Sequence, residues 1–257
     1  MTATTLSLTL HIWRQAGPQA SGAFETHCLS HLNPAMSFVE LLDHLNEQLT
    51  LAGLEPIAFD SDCREGICGS CGAVVNGRPH GAQQGGSGST LCQVHVRDFQ
   101  DNQHLWVEPF CATAFPILKD LMIDRSALDR IIQAGGFVSI NTGSAPEANN
   151  LPVARHKAEQ AMDTAACIGC GACVAACPNA SAMLFVSAKI NHLLALPQGQ
   201  PERQTRALAL IAAMDRQGFG SCGNNRLCEQ VCPKGLSLQH IARLNREYLF
   251  AALTEPA

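Results

Sequence analysis

Apolar and polar positions alternate near the start of the chain: Leu6, Leu8, Leu10 and Ile12 against Ser7, Thr9 and His11, the two-residue period of a half-buried strand. A Gly17-Pro18 turn leads to a second strand. Past Asn33-Pro34 the period lengthens, and Phe38, Leu41, Leu42, Leu45 and Leu49 form the stripe of an amphipathic helix, opened by Ser37 and Glu40 at capping-box spacing. Val74-Val75 then meets the hairpin signal Asn76-Gly77, and strand-like runs cover Gln93 to Val96 and Leu105 to Glu108. Four or five strands crossed by one helix predict a small mixed sheet of the β-grasp kind over residues 1–114.

From about Phe115 the pattern turns helical, which predicts a separate all-α domain over residues 115–257 and an α+β chain as a whole. Asp124 or Ser126 can cap a helix carrying Leu128, Ile131 and Ile132. A link rich in Gly, Asn and Pro runs from Gly135 to Pro152, and Asp163 is expected to cap the short segment entering Cys167. An apolar helix follows through Met183, Leu184 and Phe185 towards Leu193, broken at Pro197 to Pro201. Further helices are expected over Arg206 to Met214 and after Pro233, the last with Ser237 as cap and Ile241, Leu244, Tyr248 and Leu249 as buried stripe.

The 257 residues, 46% hydrophobic with net charge −5, suit two domains with modest cores. Lys and Arg are scattered and leave no nucleic-acid footprint. The longest apolar stretch, Ala207 to Met214, falls far short of the roughly 20 residues a spanning helix needs. Thirteen Cys change the picture. The N-terminus shows no basic segment, apolar core or twin-Arg pair of an export signal, so a reducing cytoplasm and metal ligation are expected instead of disulfides.

Cys167, Cys170, Cys173 and Cys177-Pro178 form a C-x2-C-x2-C-x3-C-P run. Three thiolates this close can wrap one face of an iron-sulfur cubane, and Gly169 and Gly171 let backbone N–H groups approach its sulfides. The fourth Cys turns away to a second cluster, so a partner run is required. Cys222, Cys228 and Cys232-Pro233 supply it, with Asn225 where a second Cys would stand. Zinc knuckles or scattered thiols are the alternative, disfavoured by the C-P that closes both runs in the same phase. Within the sheet region Cys63, Cys68 and Cys71 have the C-x4-C-x2-C spacing of plant-type 2Fe-2S sites, and Gly66, Gly69 and Gly72 permit a tight loop around sulfur. Cys92 is the expected distant ligand, with Cys111, after Pro109, as its competitor. The intervening Gly81 to Ser89 segment reads as a surface loop without chemistry of its own. The ten His are assigned no role, most being expected on the surface or in satisfied core positions, and no catalytic acid, base or nucleophile set is visible.

The order of motifs, Asp62-Cys63-Arg64-Glu65-Gly66-Ile67-Cys68-Gly69-Ser70-Cys71-Gly72, then Cys167 to Pro178, then Cys222 to Gly235, resembles the iron-sulfur subunit of succinate dehydrogenases and quinol:fumarate reductases over nearly the whole chain. The resemblance implies that Cys63, Cys68, Cys71 and Cys92 hold a 2Fe-2S cluster and that Cys167, Cys170, Cys173 and Cys232 hold a 4Fe-4S cluster. Cys177, Cys222 and Cys228 would hold a 3Fe-4S cluster beside Asn225. Cys28 and Cys111 are left over and are expected as buried, non-ligating thiols. The implied function is electron transfer between the FAD of a flavoprotein subunit and a quinone, at the interface with a cytochrome b-type membrane anchor in which haem is an option. The implied place is peripheral, on the cytoplasmic face of the inner (cell) membrane. Some relatives carry Trp four or five residues after the fourth Cys, and His after the first Cys of the second run. Ser181, Ala182 and Gly223 stand there, so only Pro178 carries over to the quinone vicinity. Rival readings are a cluster subunit of another flavin dehydrogenase or of a heterodisulfide-type reductase, a free ferredoxin, and a zinc-stabilised interaction module.

Overall fold

The structure, a computed structural model, describes residues 5–81, 88–150 and 153–254. Most of the Gly81 to Ser89 loop, Gly85 and Gly86 included, lies outside the described residues, as does the end of the link at Pro152. Strand β1 (Leu6–Arg14) turns Leu8, Leu10 and Ile12 into the core as its alternation requires. Strand β2 (Ala23–Leu32) pairs with it antiparallel. Helix α1 (Phe38–Leu51) lies across the sheet and buries Phe38, Leu41, Leu42, Leu45 and Leu49, each stabilising by roughly 1.5–3 kcal/mol. Its capping box is closed in both directions: Glu40 N donates to Ser37 Oγ at 3.2 Å and Ser37 N to Glu40 Oε2 at 2.7 Å. The hairpin β3 (Val74–Val75) and β4 (Arg78–Pro79) turns at Asn76-Gly77, and β5 (Gln103–Glu108) runs parallel to β1. The sheet order is β2-β1-β5-β3-β4, a five-stranded mixed sheet under one helix and therefore a β-grasp unit.

The Gln93 to Val96 run is not a strand. Leu91–Gln93 and Val96–Asp98 are single 3-10 turns. The alternation is real, because Cys92, Val94 and Val96 are buried between less buried Gln93 and His95. Its backbone partners, however, lie at the entry to α1: Phe38 N donates to Val94 O at 2.7 Å and Val96 N to Met36 O at 2.9 Å.

A second small hairpin, β6 (Ile117–Lys119) and β7 (Met122–Ile123), stands where helix was expected to begin. At its turn Asp120, buried, accepts from Gln15 N and Ala58 N at 2.9 Å each, tying the hairpin to the sheet unit. Leu121 packs into the sheet core while Phe110 packs into the helical core, so each unit reaches over residue 114. Helix α2 (Ser126–Gln133) follows, and its first N–H is met by Asp124 Oδ1 at 2.8 Å. Helix α3 (Arg155–Ala165) was not foreseen and contains Asp163, which is therefore mid-helix and not a cap.

Helices α4 (Ala172–Ala175), α5 (Met183–Leu194), α6 (Arg203–Arg216), α7 (Leu227–Val231) and α8 (Gln239–Thr254) complete the helical part. α5 is buried on nearly every side and packs against α3, α6 and α8, with its buried Ser187 and Asn191 hydrogen-bonded to backbone carbonyls. The buried face of α8 is His240, Ile241, Leu244, Glu247 and Ala251, whereas Tyr248 and Leu249 face outward. The face is rotated because Glu247 is buried against Arg203 of α6, whose guanidinium grips both carboxylate oxygens.

Candidate metal centres

The first thiol set hangs on an irregular loop between α1 and β3, with Gly66 and Gly69 at φ of +71° and +73°, conformations that a side chain would strain. Glu65 N and Cys68 N point at Cys63 Sγ, each at 3.4 Å, and Ser70 N and Oγ approach Cys68 Sγ at 3.5 and 3.1 Å. N–H groups from Glu65 and Ile67 lower the Cys63 pKa to about 7. Burial pushes Cys71 up to about 12, and Cys92 and Cys68 also act on it. Thr90 Oγ1 lies 3.3 Å from Cys92 Sγ, and Gln93 Nε2 donates to Arg64 O at 3.1 Å, which fastens the Cys92 segment to the loop. Cys63, Cys68, Cys71 and Cys92 are thus gathered together. Cys111 is exposed and is not among the neighbours acting on Cys63 or Cys71.

The second set forms where the loop before α4 meets the segment after α7. Cys167, Cys170, Cys173 and Cys232 line one cavity, closed by Leu184, Phe185 and Leu236. Burial raises Cys167, Cys170 and Cys173, Cys170 to about 12 and Cys173 well above the ordinary range, and Cys232 adds to each shift. Leu236 N is 3.4 Å from Cys232 Sγ. Gly171 caps α4 at φ +87°, which lets the chain turn back on itself between Cys170 and Cys173.

The third set is Cys177, Cys222 and Cys228, which line a second cavity together with Asn225. Burial pushes Cys228 up to about 11, with Cys222 and Cys177 contributing. Asn179 Nδ2 donates to Ser221 O at 3.0 Å, and a Cβ at Gly220 would lie 1.9 Å from Asn179 O, so two distant segments are pressed together. Asn224 and Arg226 both adopt positive φ, 54° and 64°, in the loop that presents Asn225. Leu184 lines both cavities and forms the wall between them. Pro178 is exposed beside Cys177 and lines neither cavity.

Soft thiol donors, N–H groups directed at sulfur and apolar walls are the surroundings that iron-sulfur clusters require. Among the described residues no three His, Cys, Asp or Glu side chains converge on a point that would hold a single ion. The thiols ring cavities instead. Sequence reasoning missed Asn179, Leu184 and Arg125, the last of which joins the first two thiol loops. It also misjudged Cys28 and Cys111, which are exposed and not buried. His80 departs from expectation too, being 1% exposed with neither ring nitrogen partnered among the described residues.

Two sequence families match the chain. Residues 9–130 match a 2Fe-2S iron-sulfur cluster binding domain, and residues 163–236 match a 4Fe-4S dicluster domain. The succinate dehydrogenase iron-sulfur subunit of Bacillus subtilis is 30% identical over 200 residues, covering 75% of this chain and 72% of the relative. The fumarate reductase iron-sulfur subunit of Wolinella succinogenes is 28% identical over 219 residues, covering 83% and 85%. Among solved structures, a chain of the Mycobacterium smegmatis Sdh1 complex in the apo form superposes with a TM-score of 0.69 at 18% identity, covering 99% of this chain and 100% of that one, and so shares the fold.

Proposed function

Because this chain belongs to the family of succinate dehydrogenase and fumarate reductase iron-sulfur subunits, we propose that it is the electron-transfer subunit of a succinate:quinone oxidoreductase. It passes single electrons between the flavin of a flavoprotein partner and a quinone beside a membrane anchor, and has no substrate site of its own. When bound, each cluster takes up and gives back one electron, which joins two-electron chemistry on either side. The observation that carries the reading is the gathering of three thiol sets around three separate sites, with Asn225 lining the third beside its thiols. Cys63, Cys68, Cys71 and Cys92 would hold 2Fe-2S, Cys167, Cys170, Cys173 and Cys232 would hold 4Fe-4S, and Cys177, Cys222 and Cys228 would hold 3Fe-4S. The neutral amide of Asn225 is a poor iron ligand beside thiolate, which favours the three-iron form.

The proposal divides the chain at residue 114, with Phe110 and Leu121 as the side chains that lock the two units together. Among the described residues no helix is long and apolar enough to cross a membrane. Leu249, Phe250 and Leu253 stand exposed on α8, an apolar surface of the kind a partner covers. Attachment to the cytoplasmic face of the membrane through an anchor subunit, with Pro178 near the quinone, completes the reading. The test is the complex purified from membranes. It should carry about nine non-haem irons per copy of this chain, show 2Fe-2S, 4Fe-4S and 3Fe-4S paramagnetic signals, and pass electrons from succinate to a quinone. A colourless chain carrying zinc in place of iron and acid-labile sulfide would overturn the reading.

A further inference from the structure

The Cys68–Cys71 loop and the Cys167–Cys170 run belong to different units, yet their backbones touch. A Cβ at Gly69 would lie 2.8 Å from Ile168 O, closer than real side chains come, and 3.0 Å from Cys170 Cα. Beside this contact stands Arg125, half-buried at the start of α2. Its Nη1 donates to Gly69 O and, at 3.4 Å, to Cys170 O. One guanidinium therefore holds a carbonyl from each thiol loop. Among the described residues no carboxylate forms an ion pair with Arg125. Its charge is felt at Asp60, His80 and Cys170, on both sides of the joint.

We propose that Arg125 is a positioning residue that clasps the first two cluster loops, fixing their separation and favouring an added electron on either side through its unneutralised charge. The inference rests on the cluster assignment above. Reduction adds a negative charge to a centre, so a nearby fixed cation stabilises the reduced form. Electron tunnelling through protein falls steeply with distance, so a backbone contact that cannot open keeps transfer fast. Both bonds leave one nitrogen, Nη1, so Lys keeps the charge but not the reach, its ammonium ending one bond short of that nitrogen's place.

The test uses the full chain in its complex, with Arg125→Gln, Arg125→Lys and Gly69→Ala. Each is read by redox titration of the 2Fe-2S and 4Fe-4S signals and by the magnetic broadening between the two reduced centres. Arg125→Gln should weaken the electron affinity of both centres about tenfold, ~59 mV for one electron, and reduce the broadening. Arg125→Lys should retain most of the electron affinity yet lose broadening. Gly69→Ala, which wedges the loops apart without touching the charge, should lose broadening alone. Unchanged affinities in a fully loaded Arg125→Gln complex, or a shift at one centre only, overturns the proposal. Where Arg125→Gln does not assemble, undiminished broadening in both other variants overturns it. Absence of the two cluster signals from the unmodified complex would strike the cluster assignment instead.

Discussion

The sheet unit and the helical unit place their thiols differently. In the sheet unit the core of β1, β5 and α1 closes through Leu8, Leu10, Leu41, Leu45 and Leu105, and the Cys63 to Cys71 loop is hung on its edge. Cys63 and Cys68 lie near the surface with N–H groups already directed at sulfur, while Cys71 and Cys92 are buried in the sheet core. In the helical unit the thiols of the second set are part of the core, whereas Cys222 of the third set is exposed. Cys170 packs with Phe110, Phe115 and Phe185, and Cys232 packs with Leu184, Ala188, Leu236 and Ile241. The helices beside them, α4 and α7, span only Ala172–Ala175 and Leu227–Val231, too short to persist as isolated helices. One unit is a scaffold to which a site is added, and the other is a fold completed by its sites.

The sharpest way to break this comparison is to remove the iron. After anaerobic reduction and chelation, hydrogen exchange should show α4, α7 and the start of α5 losing most of their protection while β1 and α1 stay protected, as expected of regions with unequal local stability. Equal loss in both units would mean that the sheet core also depends on its cluster. A smaller perturbation removes one ligand at a time. Cys68→Ala should abolish the 2Fe-2S signal, leave the other two, and change global stability by no more than about 1 kcal/mol, since the residue is exposed. Cys170→Ala, by contrast, empties a buried corner of the helical core, so it should lose the 4Fe-4S signal and lower the unfolding temperature as well. Thermal unfolding followed alongside paramagnetic spectra checks both.

The comparison also explains what could be read in advance. The sheet unit was legible because its signals are local: the Ser37 and Glu40 box, the Asn76-Gly77 turn and the alternation of β1. The Cys runs were legible because ligand spacing is itself a local pattern. What escaped depends on distant partners. α3 buries only Ala161 and Thr164, so no apolar stripe marks it. Glu247 faces inward because Arg203 waits on α6, and Arg125 matters because of carbonyls at Gly69 and Cys170. Cys92 stands among the expected ligands by its position in the chain, but the run that follows it, Gln93 to Val96, reads as a strand because the 3-10 turns there also bury alternate residues.

His80 carries the comparison to the joint between the units. Its backbone belongs to the sheet unit, where His80 N donates to Ala73 O at 2.7 Å, but its ring meets Phe110 of the helical core edge-on at 5.3 Å. Burial, helped by Arg125, pulls its pKa down to about 4. The folded protein therefore keeps the ring neutral while the unfolded chain binds a proton below about pH 6.5. The stability penalty is absent above that pH, grows as pH falls towards 4, and levels off below at about 3 kcal/mol. His80→Leu should remove this slope between pH 6.5 and 4 while changing stability near pH 7 little. Denaturant unfolding at a series of pH values decides it, and an unchanged slope would place the acid sensitivity elsewhere.

The smallest expected effect is confined to one corner of the helical unit. Asn225 lines the cavity of Cys177, Cys222 and Cys228 from a loop already held at positive φ on either side, at Asn224 and Arg226. That backbone presents residue 225 whatever its side chain, so Asn225→Cys should fold with little change in stability and supply the missing thiolate. A fourth thiolate can hold a fourth iron, which changes the net charge of the centre and with it the reduction potential. The oxidised variant should lose the 3Fe-4S signal, gain a 4Fe-4S signal on reduction, and pass electrons to quinone more slowly, while the 2Fe-2S centre across the joint keeps its potential. A shift at the 2Fe-2S centre would show that the two units are not separate in the way their cores suggest. A persisting 3Fe-4S signal would mean that residue 225 does not decide how many irons this corner holds.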